Sequence, residues 1–493
     1  MSPIRMMPAP AARARSVALA GALLLLPLMR LAAQEPMSLQ RAIEIAQQQG
    51  HTAREARATV EAARYRDDAF WAQYMPQLSL TGTVPSYNHA IIPVLQPDGT
   101  TLFRSQNQTE SQLGATISQR LPTGGNFFLS SSLQTLQISG SQSMRTWSST
   151  PIQVGLRQDL FRPNNFRLDR REQPVRSQLA ERQFLEARED VALQVTNLFF
   201  DMYTAQVGLA NARTNVAVND TLYTLNKGRY EVGKIGENDL LQSELALLRS
   251  RTSLDGAKLD HDRAAAALRL ALNVDPATPL ELVVPTEAPA YSADTAIAAS
   301  QALLHASSAS NAELREIVAR RGVTEARLEN GLGATVQASI GFNATAPAFD
   351  QAYQDLLEAR QFSVSVSVPL IQWGARHSRI GAARAELQQA EDSRQATLDQ
   401  IAMDARFAAL QLEQTRRSLQ LSAKADTVGA KRFEVAYNRY VIGKIAIDNL
   451  YLAQSEKDQA IVQYLQALRS HWEAHYLLRR LTLYDFEAGK PIE

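Results

Sequence analysis

His471 and His475 stand four residues apart in "HWEAH", a spacing that puts both imidazoles on one face of a helix. Two such rings could grip a metal ion. The glutamate between them, Glu473, occupies the wrong position for the zinc-hydrolase pattern. The pair is therefore read as surface histidines near the terminus, with no metal and no cofactor assigned. No phosphate-cradling glycine loop and no serine elbow occurs. With no cysteine in the chain, disulfides, thiolate metal sites, cysteine nucleophiles and a lipid-modified cysteine are all excluded. An exported hydrolase would need a polar catalytic cluster, and none is found.

The residues with more to offer come in two copies. "RYEVGKIGENDLLQSE" (229–244) matches "RYVIGKIAIDNLYLAQ" (439–454) at an offset of 210. Arg229, Tyr230, Gly233, Lys234, Ile235 and Leu240 fall on Arg439, Tyr440, Gly443, Lys444, Ile445 and Leu450. Leu160 falls on Leu370 at the same offset, which marks a duplication. Gly233 and Gly443 would each supply the left-handed residue that ends a helix.

Each repeat must position its turn with the same elements: an opening helix, strands, a long helix, the turn and a return helix. The opening helix is expected from Ser38, a good N-cap, to about Tyr74, and in pieces within 294–331 in the second repeat. Alternating segments then predict strands at 77–86, 112–121, 126–138 and 151–160, and at 334–342 and 362–370. In the last, Phe362, Val364, Val366, Val368 and Leu370 alternate with Ser363, Ser365 and Ser367. The stretch 97–111 reads as an external loop. The long helices are expected over 175–230 and 376–440, with return helices at 237–273 and 446–484. They are rich in alanine and polar around much of their circumference, as helices lining a wet space are. Pro276, Pro279, Pro285 and Pro289 fill the connector between the repeats.

The first 33 residues read as a cleaved signal peptide: Arg5, Arg13 and Arg15 precede the apolar "SVALAGALLLLPLM" and a small-residue exit. Residues 34–290 form the first structural repeat and 291–493 the second. No later stretch is apolar enough for a spanning helix, which leaves a β-barrel as the membrane-crossing option. Strands with an oily and a wet face, too few to close a roomy barrel from one chain, point to a barrel shared among copies. The 51 basic and 50 acidic residues give a net charge of +1 and no signal for nucleic acid.

The duplicated order, "MPQLSL" (75–80), "LPTGG" (121–125), "VPLIQWGARHSR" (368–379) and the two RY..GK turns resemble the TolC family of outer-membrane efflux channels. The resemblance covers nearly all of the mature chain. It implies an α+β membrane protein, a homotrimer. An outer-membrane β-barrel is shared by three protomers, and a long α-helical coiled-coil barrel runs into the periplasm. It implies no enzymatic activity but an exit duct for efflux or type I secretion. The partners would be a periplasmic adaptor protein, an inner-membrane pump of RND, ABC or MFS type, and outer-membrane lipid. Valines would face lipid and serines the pore. The usual member contributes four strands; here six are expected per chain, or four with the extra hairpin folded over the barrel mouth.

By the same resemblance, Tyr440 matches the gate tyrosine and Asp239 its acidic partner, a charge-assisted latch. Tyr230, Lys444, Asp448 and Asn449 join them at the periplasmic gate. Val232, Gly233, Lys234, Ile442 and Gly443 form the adaptor-docking turns. The family's gate arginine is replaced by Ile445, with Lys444 beside it, and its constriction aspartates by Asn449 and Leu452, with Asp448 next door. The alternative is a soluble periplasmic coiled-coil scaffold, which would have no use for the strands.

Overall fold

The computed structural model describes residues 36–95, 97–140, 143–283 and 289–492, so the signal-peptide reading lies outside the described residues. The first repeat opens with α1 (Leu39–Gln49) and α2 (His51–Ala72). Ser38 caps α1 by accepting from the Arg41 amide at 3.3 Å. The expected single helix is broken at Gly50, whose extended backbone ends α1. A Cβ there would lie 2.4 Å from the Ala46 carbonyl oxygen, so the chain can bend back only on glycine.

Four strands follow, β1 (Gln77–Leu95), β2 (Thr101–Arg120), β3 (Asn126–Ser139) and β4 (Met144–Leu160). The long α3 (Asn165–Glu231) and the returning α4 (Glu237–Leu272) complete the repeat. The second repeat runs α5 (Thr295–His305), α6 (Ser307–Glu329), β5 (Gly333–Ala346), β6 (Leu357–Ser367), α7 (Ala375–Val441) and α8 (Ile447–Thr482). Two-residue strands β7 (Tyr484–Asp485) and β8 (Lys490–Pro491) pair after it.

α3 and α7 each contain 67 residues and α4 and α8 each 36, and all four helix boundaries repeat at the 210 offset. A 67-residue helix is about 100 Å long. α3 begins ten residues before the expected start, and Pro174 lies inside it. Asn164, accepting from the Arg167 amide at 3.1 Å, starts the helix ahead of the proline.

The six long strands form one antiparallel sheet in chain order. Two expectations need correction. Residues 97–111, expected as a loop, lie largely in β2, because 101–110 pair with β1. β6 ends at Ser367, so the alternation of Val368 and Leu370 continues past the last ladder pair. Pro85 and Pro151, which have no amide hydrogen to give a ladder, sit where the register of β1 and β4 shifts.

Cross-strand partners share a face. Leu78, Ile117, Leu129, Val154 and Ile340 form one row across five strands, and Phe127, Leu156, Ala338 and Phe362 form the next. The opposite face is polar and hydrogen-bonded: Gln153 donates to Ser339 Oγ at 3.2 Å, Thr335 to Asp159 at 2.8 Å and Gln134 to Glu110 at 2.7 Å. The larger of the apolar side chains are exposed: Leu78, Leu80, Phe362 and Val366 are each at least 60% accessible. The buried core lies instead among the helices, around Leu39, Phe199, Phe200, Met202, Leu268 and Leu272. Among the described residues no helix is long and apolar enough to cross a membrane.

Candidate functional site

The two turns between the long and return helices close in the same way. Gly233, at φ 69°, donates to the Tyr230 carbonyl at 2.8 Å, and Lys234 reaches back to the Arg229 carbonyl at 2.8 Å. Gly443, at φ 76°, and Lys444 repeat both bonds at 2.9 and 2.8 Å. This pair of bonds terminates a helix on a left-handed residue, which glycine adopts without steric cost.

The side chains break the symmetry. Tyr440 is 4% exposed, while its duplicate Tyr230 is 42% exposed. Tyr440 packs with Leu222, Ala436, Ile447, Leu450 and Ala453 in a small core between the repeats. Its hydroxyl donates to Asn226 Oδ1 at 2.6 Å. Asn226 is fully buried, and its Nδ2 has no partner within the protomer. Arg229 lies over the Tyr440 ring at 5.3 Å and donates to the Val441 carbonyl at 2.8 Å. A cation at that position also favours the carbonyl end of α7.

The expected Tyr440–Asp239 latch is therefore not formed within the protomer: Asn226 takes the hydroxyl. Asp239 is a first-turn acid of α4, half-buried, and its amide bonds the Gly236 carbonyl at 3.2 Å. Lys444, Asp448 and Asn449 are exposed, and Gln242 of the first repeat donates to Asp448. Val232 and Ile442 are exposed at 67% and 64%, leaving two apolar side chains at the tip.

Asn226 and Arg229 are the residues that sequence reasoning missed. A signal existed: Asn211, Asn215, Asn219 and Asn226 recur on one face of α3, unusual for a seam between helices. Asn211 and Asn215 both donate to Asp458 of α8, at 2.7 and 2.8 Å. Further along the same seam Arg469 holds Asn197 at 2.8 Å and Asp201 at 2.6 Å.

The histidine pair is also corrected. His471 and His475 are buried rather than superficial. His471 donates from Nε2 to the Pro289 carbonyl at 2.9 Å, with Thr415 at Nδ1, and His475 Nδ1 accepts from the Tyr291 hydroxyl at 2.9 Å. Burial, with Arg479 beside it, pushes His475 down to about 3. Both rings pin the segment before α5 onto α8. Two partly buried ion pairs brace the same region, with Arg479 on Glu189 at 3.0 Å and on Asp485 at 2.6 Å.

This architecture is shared with solved outer-membrane channels. The Campylobacter jejuni CmeC outer membrane channel superposes with a TM-score of 0.67 over 92% of this chain and 87% of that one, at 15% identity. The outer membrane protein VceC from Vibrio cholerae gives 0.65 over 92% and 97%, at 14% identity. Residues 42–274 match the family described as outer membrane efflux protein. Protein CyaE of Bordetella pertussis is 27% identical over 225 residues, 43% of this chain and 44% of that protein, so the match spans less than half of that relative. The match over residues 42–274 and the fold shared with these channels agree with the resemblance to the TolC family.

Proposed function

We propose that this chain is the outer-membrane exit duct of a tripartite efflux or type I secretion system. Three copies share one barrel, and the helices extend the conduit into the periplasm. The observation that carries the reading is one chain holding both paired helices of about 100 Å and a sheet whose apolar face lies open to its surroundings. Trp147, Phe349 and Tyr353 cluster beyond one end of the apolar band, and Trp373 and Phe161 are exposed at the other. Aromatic girdles of this kind flank the lipid-facing band of membrane barrels.

The duct does no chemistry and takes its energy from an inner-membrane pump. Its periplasmic tip is the pair of turns. Val232, Gly233, Lys234, Ile442 and Gly443 are the surface on which an adaptor docks. The Tyr440–Asn226–Arg229 cluster holds the two hairpins of a protomer together at the closed tip. Tyr230, Asp239, Lys444, Asp448 and Asn449 are left for contacts between copies. A bond to a neutral amide holds less tightly than one to a carboxylate, so this closure yields more easily than the Asp239 latch would.

The test is the native mass of protein extracted by detergent from the outer-membrane fraction, with detergent subtracted. Three protomers are expected; a monomer released without detergent would overturn the duct and leave the scaffold. In planar bilayers Tyr440→Phe should raise the resting conductance of the trimer. An unchanged conductance removes Tyr440 from the gate.

A further inference from the structure

We propose that all six strands of each protomer, the β2–β3 hairpin included, are walls of the barrel, so that three copies of the six-stranded sheet make a barrel of eighteen strands. The inference rests on the shared-barrel reading above and goes beyond it, since four strands per chain would give a barrel of twelve.

The register of the two repeats locates the addition. α7 starts 210 residues after α3, but α5 starts 256 residues after α1. The first repeat is thus 46 residues longer between its opening helix and its long helix. β1 leaves α2 as β5 leaves α6, and β4 leads to α3 as β6 leads to α7. The excess corresponds to β2, β3 and their connections.

That hairpin is in the middle of the sheet and not on its edge. β2 pairs with β1 from Ser118 to Thr101, and β3 pairs with β4 from Asn126 to Ile138. Folding it over the barrel mouth would break both ladders, each rung of which is a backbone hydrogen bond that lipid cannot replace. The side chains agree. Ile117 and Leu129 continue the apolar row from Leu78 to Val154 without interruption, and Thr116 and Ser130 continue the polar row on the other face. A cap over the mouth would meet water on both faces and would need no such alternation.

The occupant of the two open edges is a second copy. β1 and β6 end the sheet, and open edges cannot stay unpaired in a bilayer. They run in opposite directions, so β6 of one copy meets β1 of the next antiparallel, like every other pair in the sheet. Leu78 and Leu80 on β1 and Val364 and Val366 on β6 extend the apolar band across the seam. Barrel diameter rises roughly linearly with strand number, so this wall is about one and a half times as wide as a twelve-stranded one.

The absence of native cysteine makes the test direct. Leu129→Cys and Ser130→Cys in β3, with Val364→Cys and Ser365→Cys in β6, are exposed singly in outer-membrane vesicles to a charged, membrane-impermeant maleimide. Position 129 should react about tenfold or more slowly than 130, as 364 does relative to 365, because the reagent must leave water to reach a lipid-facing thiol. If 129 reacts as fast as 130 while 364 stays protected, the hairpin is outside the wall and the proposal falls. If 364 is as reactive as 365, no barrel exists, and the duct reading falls first.

Discussion

Tyr230 and Tyr440 are the same residue written twice, and they lead different lives. Within one protomer Tyr230 is half-exposed, left for contact between copies, and Tyr440 is sealed between the repeats with Asn226 and Arg229. The backbone around them is the same to the hydrogen bond. The difference lies in what the two helical hairpins present to each other: position 226 is asparagine, and its duplicate, position 436, is alanine. Ala436 packs in the Tyr440 cluster, and Asn226 is the side chain that meets a tyrosine hydroxyl within the protomer. Duplication copied the turns, and point differences made one an internal clasp and the other an outward surface.

The sharpest way to break this comparison is truncation. Tyr440→Ala removes a buried aromatic and leaves both polar groups of Asn226 unpaired, so the tip should lose about 3–5 kcal/mol of local stability. Hydrogen exchange at the end of α7 and the start of α8 should speed accordingly. Tyr230→Ala should change the protomer by about 0.5 kcal/mol or less, as exposed positions do. Equal effects would mean that the two sites are equivalent.

Acid tests a second mismatched pair. His471 is duplicated by His261, but His475 by Ala265, so the second repeat buries an extra imidazole. Its folded value, about 3, is below the unfolded value of about 6.5, so between them the unfolded chain binds a proton that the folded chain refuses. Stability is therefore lost as pH falls below 6.5, by about 3 kcal/mol at pH 4.5 from this group. Melting of the wild type should drop over that range, and His475→Gln should flatten the curve. His471, depressed in the same direction by burial, keeps some slope in that variant.

A smaller effect isolates the clasp. Tyr440→Phe leaves Asn226 without its donor and should cost about 1–3 kcal/mol, whereas Tyr440→Phe combined with Asn226→Leu, two apolar groups in place of two polar ones, should recover most of it. Failure to recover would place the stabilisation in ring packing alone. The smallest expected difference is between Gly233→Ala and Gly443→Ala. Both backbones are left-handed and a Cβ at either meets open space, so each should cost about 1–2 kcal/mol and by the same amount.

These contrasts also show what could be seen in advance. The helix ends at the two turns were legible because RY..GK is a strong local signal, whereas the start of α3 was not, because Pro174 lies inside the helix. Strand faces were legible where Leu, Ile, Val and Phe alternate with Ser and Thr. The first half of β2 was not, since "TTLFRSQNQT" is polar on both sides and is held as strand by β1. The burial of His471 and His475 was hidden for a similar reason: it depends on the segment around Pro289 and Tyr291 crossing α8, a contact about 180 residues away in sequence. Asn226 was missed although asparagine recurs at 211, 215, 219 and 226, because the stripe names no partner until α7 is placed against it.

β1 begins and β4 ends at the end of the sheet where the helices lie, with β2 and β3 between them. A single inserted strand would have released the chain at the far end and carried α3 away from α7. Only whole up-and-down pairs leave the helical half undisturbed. The circumference of such an assembly cannot be adjusted gradually; it changes in discrete steps, one hairpin per copy, while the 67-residue helices below keep their length and register.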